Sequence, residues 1–145
     1  MHEQVYIRLC RAREFINDCY AAPLALENIS REAYLSPYHF LRLFRNAFGQ
    51  TPHQYLTQRR IEKAKYLLSY TSRPITEICF DVGFQSLGSF STLFHRCTGS
   101  SPTEFRARTT MTIQIPYTYP DLIVPACFLL KFAPRPSTKQ AAQSL

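Results

Sequence analysis

Ser86–Phe105 reads SLGSFSTLFHRCTGSSPTEF, and it nearly repeats Ser36–Tyr55, SPYHFLRLFRNAFGQTPHQY. At a constant offset of 50, Ser36 pairs with Ser86, Phe40 with Phe90, Leu43 with Leu93 and Phe44 with Phe94. Gly49 with Gly99, Pro52 with Pro102 and Tyr55 with Phe105 continue the series. Upstream the offset becomes 49, pairing Ile29 with Ile78, Ala33 with Val82 and Leu35 with Phe84. Self-similarity of this kind marks one supersecondary unit present twice. The single-residue slip falls between the matched blocks, so each unit reads as two helices joined by a short turn.

Working outward, a first helix is expected over Glu3–Tyr20, with Val5, Leu9, Ala12, Ile16 and Tyr20 on one face. Ala21-Ala22-Pro23 ends it, and a short helix follows over Leu26–Ala33. Ala25 stands where a capping side chain would help, a loss of about 1 kcal/mol that packing of Leu26, Ile29 and Ala33 must offset. Ser36-Pro37 opens a third helix, with the Ser36 hydroxyl expected to cap it and Pro37 at its first position. Phe40, Leu43, Phe44 and Ala47 form its inward stripe, and Gly49 stops it as a left-handed residue.

Thr51-Pro52 starts a long fourth helix to about Ser69, whose apolar contacts are Tyr55, Leu56, Ile61, Ala64, Leu67 and Leu68. Arg59, Arg60, Lys63 and Lys65 give it a basic face. The second copy then runs Ile75–Val82, a turn containing Gly83, and Leu87–Thr98 stopped by Gly99. Ser101-Pro102-Thr103-Glu104 is a capping box that launches a brief last helix to about Arg108. From Thr109 the pattern changes to β-branched and aromatic alternation. Residues 109–132 read as an apolar extended or β-hairpin-like tail, and 133–145 as a disordered end.

Apolar residues make up 46% of the chain, enough for a core, and the formal charge of +7 fits either plain solubility or a polyanionic partner. Met1–Arg13 has no unbroken apolar segment of a secretion signal, and no run reaches the ~18 apolar residues of a membrane helix. A cytoplasmic protein without membrane association is expected. Five cysteines, Cys10, Cys19, Cys79, Cys97 and Cys127, include no C-x-x-C pair; four lie in helical pattern and read as small buried groups. The four histidines show no ligand spacing with them, so no metal and no cofactor are expected. No Ser/His/Asp arrangement or phosphate loop appears, and an enzyme is not expected.

A short helix, a tight turn and a second helix with an apolar inner face is a helix-turn-helix, whose second helix can enter the DNA major groove. An ordinary helical bundle is the alternative. Duplication favours DNA, because two such units joined by one helix can reach grooves roughly 34 Å apart without dimerisation.

The residues from Ala12 to Arg106 also resemble the DNA-binding domain of AraC/XylS-type transcription regulators. The matching pieces begin with Leu26–Ala33 (LENISREA), Leu35-Ser36-Pro37, Phe40–Phe44 (FLRLF) and Gly49–Pro52 (GQTP). They continue with Arg60–Leu68 (RIEKAKYLL), Pro74–Phe84 (PITEICFDVGF), Ser89–Phe94 (SFSTLF) and Gly99–Arg106 (GSSPTEFR). The resemblance implies an all-α fold of seven helices, two homeodomain-like helix-turn-helix subdomains (about 4–50 and 72–108, within a domain 4–108) joined by the linker helix 52–70. It implies sequence-specific binding of double-stranded DNA, control of transcription and RNA polymerase as a partner. A monomer on DNA is expected, with the tail as the route to any dimer. Residues before position 5 leave no room for an effector domain, so the chain reads as a stand-alone member or a fragment.

The outward face of the third helix carries Tyr38, Leu41, Arg42 and Arg45. Matched to the family's pattern, Tyr38, Leu41 and Arg42 fall at base-contacting positions. Arg42 could pair with guanine O6 and N7, worth about 1–3 kcal/mol of discrimination, or instead hold a phosphate. On the second reading helix the outward residues are Leu87, Gly88, Ser89 and Thr92, a departure from the family, which often has an arginine where Thr92 stands. This helix is therefore expected to discriminate bases less and to hold phosphates through Ser91, His95 and Arg96. Arg45, Gln50, Thr51, Arg59, Arg60, Ser100 and Ser101 are further phosphate candidates; capping or a plain surface role is the alternative at the helix starts and on the linker. Two other readings concern the tail: that Ile113–Phe132 is a partner surface, making the chain an antagonist of a related regulator, or that it senses a ligand or oxidation through Cys127. Packing of the tail on its own helices is the bland alternative.

Overall fold

A computed structural model describes residues 3–111. These form seven helices and no strand: α1 (Glu3–Cys19), α2 (Leu26–Glu32), α3 (Pro37–Phe48), α4 (Pro52–Tyr70), α5 (Ile75–Asp81), α6 (Leu87–Thr98) and α7 (Pro102–Met111). Residues 109–111 of the expected extended tail are instead helical, and 112–132, the disordered end and Cys127 lie outside the described residues. Among the described residues, no helix is long and apolar enough to cross a membrane.

Two cores form. Leu9, Ala12 and Ile16 of α1 meet Ile29, Ala33, Phe40, Phe44 and Leu56 in the first. Ile61, Ala64 and Leu68 of α4 meet Ile78, Cys79, Val82, Phe90 and Phe94 in the second. The helix α4 thus belongs to both, Leu56 to one and Ile61 to the other. The repeat is preserved down to ring geometry. Phe40–Phe44 and Phe90–Phe94 are tilted pairs with centroids 5.3 and 5.6 Å apart. Phe44–Tyr55 and Phe94–Phe105 are edge-on pairs at 6.0 and 5.4 Å. Each buried ring adds about 1.5–3 kcal/mol by leaving water, and edge-on packing adds to this.

The helix ends explain why the elements stop where they do. Gly49 and Gly99 are left-handed (φ 72° and 76°), and their N–H groups donate to the Arg45 and His95 carbonyls at 2.9 and 2.8 Å. Capping boxes open α4 and α7: Thr51 Oγ1 accepts from Gln54 N–H and Ser101 Oγ from Glu104 N–H, both at 3.2 Å. Ser86 likewise caps α6 by accepting from Ser89 N–H at 3.2 Å. Ser36, expected to do the same for α3, makes no side-chain capping bond; Pro37 and the Phe40 N–H to Ser36 carbonyl bond (2.9 Å) start that helix instead. The weak start at Ala25 is repaired by Asn28, whose Oδ1 accepts from Ala25 N–H at 3.2 Å. The last helix runs to Met111 rather than Arg108, because β-branched Thr109 and Thr110 donate their hydroxyls back to the Phe105 and Arg106 carbonyls (2.8 and 2.9 Å) and stay in the helix.

The cysteines are less uniform than expected. Cys79 is buried, which pushes its thiol pKa up; Cys10 and Cys19 are half-buried and Cys97 is exposed. Position 97 falls in the last turn of α6, past the ring pair that closes the second core.

Candidate nucleic-acid interface

The two helix-turn-helix turns are built alike. Leu35 N–H donates to the Ser30 carbonyl at 3.2 Å, and Phe84 N–H to the Cys79 carbonyl at 3.1 Å. The extra residue of the second turn is Gln85, between Phe84 and the Ser86 cap. These turns hold α3 and α6 with Phe40/Phe44 and Phe90/Phe94 inward, so their other faces are exposed.

On α3, Tyr38 is 78% exposed and Leu41 36%, with Arg42 and Arg45 also exposed. Positions 38, 41, 42 and 45 share one helical face. Asn46, one turn after Arg42, joins its edge; it was not among the expected contacts, although the i+4 spacing from Arg42 is signal enough. The face offers two guanidinium groups, a phenol, an amide and an apolar leucine. On α6 the equivalent positions hold Gly88, Ser91, Thr92, His95 and Arg96. Leu87 is 41% exposed; Gly88, Ser89, Thr92, His95 and Arg96 are exposed and Ser91 is half-buried. This face is flatter and weakly polar, with its cationic groups only in the last turn.

The structure divides the remaining phosphate candidates. Thr51 and Ser101 use their hydroxyls and N–H groups in the capping boxes. Gln50, beside Thr51, is half-buried. Arg59 pairs with Glu62 at 2.7 Å and lies 6.0 Å from the centre of the Tyr55 ring. Two candidates are placed where a phosphate contact does not fit. Ser100 is buried (2% exposed) in the turn between α6 and α7, where its carbonyl accepts from the Thr98 hydroxyl at 3.0 Å. Arg60 is turned inward: Nε donates to the Tyr20 carbonyl at 2.7 Å and Nη2 to the Ala22 carbonyl at 2.9 Å. Partial burial lowers its pKa from the ordinary arginine value, though it remains a cation. Its inward phase follows from its spacing, four residues after Leu56 and four before Ala64.

Among the described residues, no group of three or more His, Cys, Asp or Glu side chains could hold a metal ion. The exposed faces of α3 and α6 offer hydrogen-bonding, cationic and apolar groups.

A model of the helix-turn-helix domain family matches residues 29–108, the span from α2 to near the end of α7. The chain is 32% identical over 107 residues to the regulatory protein SoxS of Salmonella typhimurium, covering 74% of this chain and 97% of that one. The chain belongs to the AraC/XylS-type helix-turn-helix family of DNA-binding transcription regulators. The arabinose operon regulatory protein of Escherichia coli K12 is 35% identical over 108 residues, covering 74% of this chain and 37% of that protein. The chain thus spans little more than a third of the length of such longer AraC/XylS-type relatives. Its fold superimposes with a TM-score of 0.70 on the DNA-binding domain of AdpA, solved in complex with a target DNA, at 27% identity over 73% of this chain and 96% of that one.

Proposed function

We propose that this AraC/XylS-type domain binds duplex DNA as a monomer, placing α3 and α6 in successive major grooves, and that the two helices divide the work. The observation that carries this reading is the contrast between equivalent exposed faces. Tyr38, Leu41, Arg42 and Arg45 on α3 face Gly88, Ser91, Thr92 and His95 as their counterparts on α6. Arg42 can reach a guanine with two parallel hydrogen bonds, and Leu41 can meet a thymine methyl group. Leu87, Gly88, Ser89 and Thr92 lie against the second groove with less capacity to distinguish bases. Ser91, His95 and Arg96, together with Arg45, Gln50 and Arg59, supply hydroxyl, amide and cationic groups for the sugar-phosphate backbone.

RNA polymerase is the partner through which a bound regulator would act on transcription. Duplexes selected from a random pool by the full chain should share one well-defined block of sequence and, one helical turn away, a degenerate one. Binding followed by fluorescence anisotropy should weaken with salt at a log–log slope near −5 to −7, as neutralising roughly five to eight phosphates requires. Saturable binding without salt dependence, or a pool with no common sequence, would contradict the reading.

A further inference from the structure

We propose that Arg60 is a positioning residue that fixes the spacing and angle between α3 and α6, and with them the half-site spacing the protein accepts. The inference rests on the two-groove reading above and adds to it a cause for the geometry. The helix α4 alone is a weak ruler. It passes from the first core at Leu56 to the second at Ile61 within little more than one turn, and helices bend and twist gently unless neighbours hold them. What holds this crossing is a junction beside α4, and its contacts converge on one side chain.

The first half contributes the turn that follows α1, Tyr20, Ala21 and Ala22, whose backbone carbonyls lie beyond the helix end. Arg60 Nε takes the Tyr20 carbonyl at 2.7 Å and Nη2 the Ala22 carbonyl at 2.9 Å. The second half contributes its turn. The Arg60 guanidinium lies 5.8 Å from the centre of the Phe84 ring. Gly83 approaches so closely that a Cβ there would stand 2.8 Å from the Ala21 carbonyl oxygen and 3.0 Å from Arg60 Nε. Tyr20 packs against both cores. One planar cation is therefore fastened to backbone of the first half and rests on the turn of the second. A guanidinium fork directs its donors at two fixed acceptors, an orientation that a flexible ammonium does not impose.

The consequence is intolerance of changed spacing. One inserted base pair moves a half-site about 3.4 Å along the duplex and turns it by roughly 34–36°. A locked pair of reading helices cannot follow, whereas a pair joined by α4 alone can. The wild-type chain is first used to select duplexes from a random pool. Wild type, R60Q and R60K are then titrated by anisotropy against the selected duplex and against versions with one base pair inserted or removed between the half-sites. Because the second block is degenerate, the wild type is expected to lose about three- to tenfold on the changed spacing, R60Q less than about 1.5-fold, and R60K an intermediate amount. The quantity read is the ratio of the two affinities. A partly unfolded variant weakens both by the same factor, which cancels; if R60Q is too unstable to titrate, R60K carries the comparison. A wild-type ratio in a titratable variant overturns the role of Arg60 and leaves the two-groove reading standing. A wild type that ignores the insertion likewise overturns only the role of Arg60, whereas one that selects a single block with no second, degenerate one overturns both.

Discussion

Tyr34 and Gly83 occupy the same position in the two helix-turn-helix turns, and both have positive φ, 53° and 96°. For glycine this conformation costs nothing, whereas for a side chain with a Cβ it costs roughly 1–2 kcal/mol. The first turn accepts tyrosine because its ring is 74% exposed and nothing need make room for it. The second turn has no such freedom, since a Cβ on Gly83 would run into the Ala21 carbonyl.

Two substitutions should therefore differ in sign. Gly83→Ala should destabilise the protein by about 2 kcal/mol or more, through both strain and collision. Tyr34→Asn places a residue tolerant of the left-handed region in the open turn and should stabilise by roughly 0.5 kcal/mol. Urea denaturation midpoints measure both. Equal destabilisation by the two would mean that the turns are not built as described.

The exposed faces lead to a second prediction. Arg42→Ala should weaken binding to the selected duplex by roughly 5- to 150-fold, the equivalent of about 1–3 kcal/mol, and relax the preference at one base pair. Thr92→Ala should change affinity for selected and mutated duplexes alike. Competition titrations with single-base variants decide it: greater loss of preference from Thr92→Ala than from Arg42→Ala would reverse the proposed division between α3 and α6.

Much of this architecture is legible because helix boundaries in this chain are punctuated locally. Ser-Pro and Thr-Pro starts, glycine stops and an i, i+3, i+4 apolar stripe appear twice, so the two cores and seven helices follow from short-range pattern. What is hidden depends on tertiary phase. Arg59 and Arg60 look like one basic pair; only the register of Leu56, Ile61 and Ala64 on α4 turns Arg60 inward while Arg59 stays half-exposed beside Glu62. Ser100 resembles its polar neighbour Ser101, yet the turn buries one and makes the other a cap. The exposed faces of α3 and α6 are legible as surfaces, since the phenylalanine stripes define their opposites.

Separate cores imply separable stability. Phe44 and Phe94 are fully buried counterparts, one in each cluster, and replacement by alanine should cost about 3–5 kcal/mol in either case. Phe94→Ala should speed amide hydrogen exchange in α5 and α6 far more than in α1 and α3, because the two clusters share no buried residue and meet beside α4 at Tyr20 and at the approach of Gly83 to Ala21. Uniform acceleration throughout the seven helices would show that the two cores open as one unit.

The capping box of α7 gives a pH prediction whose sign is fixed. Glu104 Oε2 accepts from Ser101 N–H at 2.8 Å, and its own N–H donates to Ser101 Oγ at 3.2 Å. The Ser101 backbone bond, followed by its hydroxyl and the nearby cations Arg108 and His95, holds the Glu104 pKa below its ordinary value of 4.5. A carboxylate depressed in the folded state stabilises it above the unfolded pKa, and that contribution disappears as pH falls through the folded pKa. Glu104→Gln keeps an oxygen acceptor at the helix start but loses the charge favoured by the helix dipole. The variant should melt below wild type near neutral pH, and the gap should close as pH falls below the ordinary carboxylate range and the wild-type carboxyl takes up its proton. Circular-dichroism melts at several pH values measure the gap; one that stays constant with pH would remove the charge on Glu104 from the account of how α7 is held.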